Sequence, residues 1–184
     1  DMAFLPNGDI FVSDGYGNRR IVHFDKQGRF IKAWGEDGTG PGQFALPHAV
    51  AFDSQQRLYV ADRNNARIQV FDTEGQLLAV WDDLIMPWGC VVTGNDELWV
   101  CGSSAVKQPD GDGWVIAPPP DQVLMKLNAA GDVLLRVPLD TPVAPPGQPG
   151  TVDWVHAVAV DSQGNIYLGD IEGRRAQKFS LCRP

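Results

Sequence analysis

Asp14-Gly15-Tyr16-Gly17-Asn18-Arg19-Arg20-Ile21 decides the fold, because the same stretch returns twice in altered form. It comes back as Asp62-Arg63-Asn64-Asn65-Ala66-Arg67-Ile68, and again as Asp170-Ile171-Glu172-Gly173-Arg174-Arg175-Ala176. Each copy follows a short apolar run: Ile10-Phe11-Val12, Leu58-Tyr59-Val60 and Ile166-Tyr167-Leu168. Self-similarity at a spacing of about forty to fifty residues marks a propeller or a solenoid. Residues common to the copies hold the repeat together. Residues found in one or two copies carry information about function.

The second copy defines the unit. Ala49–Phe52, Arg57–Val60, Ile68–Phe71 and Gln76–Trp81 read as strands, separated by polar turns at Asp53–Gln56, Asp62–Ala66 and Asp72–Gly75. Short β-rich runs punctuated by Asp, Asn, Ser and Gly are hairpin signals. Four such antiparallel strands make one propeller blade. The first copy matches through Phe24-Asp25-x-x-Gly28 against Phe71-Asp72-x-x-Gly75, and the fourth through His156, Asp161, Asp170, Arg175 and Phe179. The third diverges. Cys90–Val92, Glu97–Val100, Gln122–Leu127 and Val133–Val137 are its strands, with a Gly/Pro/Asp insertion from Gly102 to Asp121. The expectation is one all-β domain with about four blades, at 1–35, 45–82, 86–139 and 152–184.

Charge and cysteine content narrow the partners. The net charge is −8, and nucleic acid calls for a basic surface, so no nucleic-acid partner is expected. There is no apolar window of about 20 residues, so no membrane span is expected. The three cysteines, Cys90, Cys101 and Cys182, fit neither a disulfide framework nor a cysteine zinc site and read as buried free thiols. In the repeat alignment Cys90 falls opposite Trp99, and Cys101 opposite Trp88.

Four residues depart from the repeat in ways that suggest chemistry. His48 and His156 share one repeat position, at the start of an innermost strand, where successive blades converge on the channel. Imidazole suits zinc, and three-histidine sites with an open position are a common catalytic arrangement. Sharing one ion requires their nitrogens to lie about 3–3.5 Å apart. The third copy has Trp88 there, so the position does not demand His. Tyr16 is the odd residue of its turn, and Arg63 stands where it could hold a carboxylate by two-point hydrogen bonding. By contrast Arg19 or Arg20, Arg67 and Arg175 recur, as do Asp14, Asp62 and Asp170. Recurrence implies a blade-holding role.

The linker Trp34-Gly35-Glu36 to Phe44-x-x-Pro47 resembles that of NHL-repeat propellers, and the resemblance covers nearly the whole chain. Val12-Ser13-Asp14-Gly15-Tyr16-x-Asn18-x-Arg20-Ile21, Pro41-Gly42-Gln43-Phe44, Pro47-His48 and Val60-Ala61-Asp62-Arg63-x-Asn65 together resemble the peptidyl-α-hydroxyglycine α-amidating lyase family, in particular bacterial relatives. This resemblance implies a six-bladed ring, a secreted or periplasmic setting, and cleavage of a peptidyl carbinolamide to an amide and glyoxylate. It implies zinc held by His48, His156 and a third histidine outside this chain, Tyr16 as base and Arg63 near the substrate carboxylate. Gly17, Tyr59 and Val70 stand where the animal enzyme has disulfide cysteines, and Ala157 replaces the Asp of a structural calcium site. The competing expectation is a non-catalytic NHL interaction module that uses the Gly102–Asp121 loop for recognition. On the repeat count the chain is expected to be part of a longer propeller. Its end blades should then expose Met2, Phe4, Val158 and Val160 and promote self-association.

Overall fold

In the structure, a computed structural model that describes residues 1–105, 121–141 and 149–180, the chain is all-β and forms four antiparallel sheets. Blade one holds β1 (Met2–Phe4), β2 (Ile10–Asp14), β3 (Arg20–Phe24) and β4 (Phe30–Trp34). Blade two holds β5 (Pro47–Phe52), β6 (Leu58–Asp62), β7 (Arg67–Phe71) and β8 (Leu77–Trp81). Blade three holds β9 (Met86–Val92), β10 (Leu98–Ser103), β11 (Gln122–Leu127) and β12 (Val133–Leu139). Blade four shows β13 (Val155–Val160), β14 (Ile166–Asp170) and β15 (Arg175–Phe179). Among the described residues the helical content is one 3-10 turn, Arg63–Asn65. Residues 106–120 of the Gly102–Asp121 insertion, and Cys182, lie outside the described residues.

The polar turns form because an Asp or Asn replaces backbone partners at each reversal. Oδ1 of Asp25, Asp53, Asp72, Asn128 and Asp161 each accepts the backbone N–H groups two and four residues on. Two of these turns also receive an aromatic side chain from the preceding blade. A Cβ at Gly75 would lie 2.9 Å from the Trp34 ring, and one at Gly131 2.6 Å from the Trp81 ring. Both glycines have positive φ, so the turn and the packing select the same residue.

The core is laid down between blades. Phe11, Ile21, Val50, Val60 and Phe71 fill the seam between blades one and two. Tyr59, Ile68, Val100 and Met125 fill the next, and Trp99, Leu124, Val158 and Ile166 the last. Burying each such side chain contributes about 1.5–3 kcal/mol, so every blade depends on its neighbour.

The recurrent Asp–Arg pairs clamp the linkers onto the blades. Asp62 Oδ1 accepts the N–H groups of Ala45 and Leu46, and Arg67 donates to Asp62 and to the carbonyls of Thr39, Gly40 and Gln43. Asp170 likewise accepts from Asp153 and Trp154, while Arg175 donates to the Thr151 carbonyl. Arg20, not Arg19, is the first-blade counterpart, since Arg19, Ala66 and Arg174 share a left-handed φ of 51°, 50° and 50° immediately before it and its equivalents. Arg20 pairs with Asp14, whereas Arg19 pairs with Asp37.

Two expectations need correction. Met2 and Phe4 are exposed, but Val158 is buried against blade three and Val160 packs beside it; the exposed residues of β13 are Ala157 and Ala159. Strand alternation sets this, because a blade can send only every second residue toward the neighbour it packs on. The cysteine register also differs by one. Cys90 pairs with Val100, and Cys101 with Gly89. The reason is a bulge with consequences for the site.

Candidate functional site

Each of blades two, three and four carries the same irregularity on its innermost strand. Pairing runs from Pro47↔Asp62 to Ala49↔Ala61, from Pro87↔Gly102 to Gly89↔Cys101, and from Val155↔Asp170 to Ala157↔Gly169. The residues left without a cross-strand partner are His48, Trp88 and His156. A bulge re-aims the extra side chain, and bulges are over-represented beside active sites. Here three consecutive blades use one to direct a ring to the same point. His48 and His156 stand with ring centroids 4.8 Å apart, and Trp88 lies 5.8 Å and 5.5 Å from them. They line a cavity of about 460 Å³ together with Tyr16, Cys90 and Val158.

Tyr16 reaches this cavity from the neighbouring blade. Its turn contains one residue more than those of blades two and four: five residues separate Asp14 from Arg20, against four between Asp62 and Arg67 and between Asp170 and Arg175. Gly15 lets that turn lie against β5, where a Cβ would stand 2.2 Å from the Pro47 carbonyl oxygen. The Tyr16 hydroxyl then sits 3.1 Å from Nε2 of His48. On its other side, Nδ1 of His48 is 2.5 Å from the Trp88 carbonyl oxygen. A carbonyl only accepts, so Nδ1 carries the proton and the neutral ring presents a bare Nε2 to the cavity, where it accepts from Tyr16. A backbone carbonyl that fixes the second nitrogen is the usual support of a metal-ligating histidine.

Arg63 opens the 3-10 turn after β6, its N–H donating to the Leu46 carbonyl two residues before His48. Its side chain is 2% exposed, and its guanidinium lies over the Trp88 ring, 3.6 Å from the centroid. It hydrogen-bonds to Tyr16. Nε and Nη2 are buried and have no hydrogen-bond partner. These two nitrogens form one side of the guanidinium fork, the side that matches a carboxylate in two-point fashion. The sequence expects Arg63 near the channel mouth, and the structure buries it against the Trp88 ring. Its burial under an aromatic ring could not be read without knowing that Trp88 lies across the seam.

Electrostatics keep the site neutral where a ligand atom is needed. Burial, and then the proximity of His156, hold the His48 pKa down to about 3. Burial followed by the Arg63 charge lowers His156. Burial pulls Arg63 down to about 10, opposed by the charge and hydrogen bond of Tyr16. Cys90 is pushed up to about 12 by burial, so it is an uncharged thiol in the cavity wall rather than a thiolate ligand. Both described cysteines, Cys90 and Cys101, are free.

The donor set fits part of a zinc site. Two neutral imidazoles converge, and one has its outward nitrogen fixed. Among the described residues no group of three His, Cys, Asp or Glu side chains gathers around a common point. The remaining histidine of the chain, His23, is in blade one, bonded to Asp9 and stacked on Phe11. Of the three histidines in the chain, two therefore stand at the cavity.

The class that the fold defines is a β-propeller, and comparison with known proteins agrees with it. Residues 44–71 match the NHL repeat. The chain resembles peptidyl-α-hydroxyglycine α-amidating lyases. It is 40% identical over 203 residues to peptidyl-alpha-hydroxyglycine alpha-amidating lyase 1 of Drosophila melanogaster, covering 100% of this chain and 35% of that protein. It is 50% identical over 80 residues to the Mus musculus peptidyl-glycine alpha-amidating monooxygenase, covering 40% of this chain and 8% of that one. It is also 31% identical over 185 residues to Homo sapiens NHL repeat-containing protein 3, covering 94% of this chain and 46% of that protein. The chain thus spans less than half the length of each of these relatives. In fold it resembles a virginiamycin B lyase from Staphylococcus aureus, with TM-score 0.63, 15% identity and coverage of 100% of this chain and 55% of that one. No described helix is long and apolar enough to cross a membrane.

Proposed function

We propose that this chain forms part of the active site of a metal-dependent lyase that splits a peptidyl-α-hydroxyglycine, or a similar carbinolamide, into an amide and glyoxylate. The observation that carries the reading is the meeting of Tyr16, His48 and His156 at one cavity, with Arg63 buried behind them against Tyr16 and Trp88, the four residues contributed by three blades. Similarity to the Drosophila lyase over the whole chain supports it. His48, through Nε2, and His156 would hold a zinc ion, which when bound supplies Lewis-acid polarisation of the substrate hydroxyl.

The residues of the chain have separable tasks. The Nε–Nη2 fork of Arg63 binds the carboxylate that leaves in glyoxylate. Arg63 is buried beside the far more exposed Tyr16, so the carboxylate reaches the fork when the phenol yields its contact with His48. Tyr16 Oη accepts the proton of the substrate hydroxyl as it passes its own phenolic proton to the amide nitrogen. The carbonyl of glyoxylate forms as the carbon–nitrogen bond breaks. Atoms balance with no oxidant or reductant. Trp88 and Cys90 supply an apolar wall that keeps water from the collapsing carbinolamide.

The test is glyoxylate release from a peptidyl-α-hydroxyglycine by the full-length protein. Turnover is expected in the wild type, to be lost in Tyr16→Phe and reduced in Arg63→Ala. Wild-type turnover in Tyr16→Phe removes Tyr16 from the mechanism. The second reading, a non-catalytic NHL-repeat interaction module, is supported by the similarity to NHL repeat-containing protein 3 and predicts no turnover in any of the three.

A further inference from the structure

We propose that Trp88 is the positioning residue of this site, and that its indole ring sets the plane and depth of the Arg63 guanidinium so that the Nε–Nη2 fork is presented to a carboxylate. The inference rests on the carboxylate role given to Arg63 above, and deepens it by naming the group on which that role depends.

Three observations converge on Trp88. The first is its place in the fold. It occupies the bulge position that carries His48 and His156 in the adjacent blades, between the two, and so belongs to the cavity by construction rather than to a seam. Gly89, immediately after it, permits the close approach of β13: a Cβ there would lie 2.8 Å from the His156 carbonyl oxygen. Trp88 and His156 are thereby brought within ring contact.

The second is the stacking itself. With the Arg63 carbon centre 3.6 Å from the Trp88 centroid, the ring covers one face of the guanidinium. A guanidinium donates only in its own plane, so a ring on its face fixes the direction of every N–H without consuming one. That leaves the two buried, unpartnered donors, Nε and Nη2, oriented and unspent. Among the described residues no carboxylate pairs with this buried cation, and the π face acts with the Tyr16 hydrogen bond to offset the cost of its burial.

The third is the backbone of the same residue. The Trp88 carbonyl accepts from His48 Nδ1, so one residue orients both the cationic group and the imidazole on either side of it. Trp88 touches no reacting atom in this scheme and acts through Arg63 and His48. Its Nε1 is buried and unpartnered, which is consistent with the ring being placed for its face and not for its N–H.

The experiment separates positioning from the reaction. Nitrogen-15 NMR of the full-length protein reads the Nε–H of Arg63 directly. In the wild type this resonance is expected to be shifted upfield by the indole ring current and protected from solvent exchange. Trp88→Phe, which keeps a smaller π face, should retain part of both. Trp88→Leu should lose both. Affinity for glyoxylate, used as the carboxylate probe, should fall about tenfold in Trp88→Leu and less in Trp88→Phe. An Arg63 Nε–H unshifted in the wild type, or equally shifted in Trp88→Leu, overturns the proposal. So does a Trp88→Phe variant that behaves as Trp88→Leu does while remaining folded. A ring-dependent Arg63 signal without any glyoxylate binding supports the positioning role and counts against the carboxylate reading instead. If Trp88→Leu does not fold, the wild-type and Trp88→Phe spectra decide the matter alone.

Discussion

The hydroxyl of Tyr16 in blade one stands 3.1 Å from Nε2 of His48 in blade two, while Nδ1 of that same imidazole is fixed by the carbonyl of Trp88 in blade three. One histidine thus joins three blades. Under the proposed function the consequence is a choice at Nε2, which would either accept from the phenol or ligate the metal and release the phenol for proton transfer. Tyr16 is 60% exposed and carried on a turn with Gly17 at φ 126°, so releasing it disturbs little of the core.

Gly15 holds that arrangement in place. In Gly15→Ala the new methyl meets the Pro47 carbonyl oxygen at 2.2 Å, and neither side of that contact is a flexible side-chain end. The turn must move away from β5 and carry Tyr16 off His48. Misplacement of a catalytic group by about 1 Å can cost roughly a hundredfold in rate, and a loss of that order in glyoxylate release is expected. Retained activity with the Tyr16–His48 contact intact by crystallography would show that the turn absorbs the methyl.

The Asp–Arg clamp should have different strengths in different blades. Asp62 and Arg67 are both buried, and Arg67 also holds three linker carbonyls, so Arg67→Ala leaves an uncompensated charge and should cost about 3–5 kcal/mol. Arg20 is 44% exposed in its pair with Asp14, and Arg20→Ala should cost about 0–1 kcal/mol. Urea denaturation of the two variants checks the contrast. Equal losses would mean the linker contacts add nothing to the pair.

Acid should destabilise the metal-free protein through His48. Its pKa is held near 3 in the folded state, below the ordinary value of 6.5, chiefly by burial. The unfolded chain takes up a proton on this group as pH falls through 6.5, and the folded chain does not. The stabilising contribution is therefore complete above about pH 6.5 and is lost progressively as pH falls toward 3. Denaturant midpoints measured across this window should fall less steeply in His48→Gln. Parallel curves for the two proteins would contradict the shift.

The repeat was legible because its chemistry is local. Asp62 and Arg67 lie five residues apart and close their own turn, and Asp72 to Gly75 carries its own backbone instructions. The shared position of His48 and His156 was legible for the same reason. What the sequence did not reveal depends on register and on neighbours. The bulge at Trp88 shifts blade three by one residue, which is why Cys101 faces Gly89 and not Trp88. The burial of Val158 follows from which face of β13 meets blade three, and alternation alone leaves that choice open. Trp88 looked like a departure from the histidine pattern. The signal that could have marked it is the Trp88-Gly89 pair, a large ring at the bulge followed by the one residue that lets the next strand approach.

The most direct test of the central claim is metal content and glyoxylate release measured on the same preparations of full-length protein, as wild type, His48→Ala and His156→Ala. About one equivalent of zinc is predicted in the wild type, with both zinc and turnover falling together in each variant. Wild-type protein without zinc, or zinc and turnover retained in His48→Ala, would contradict the account.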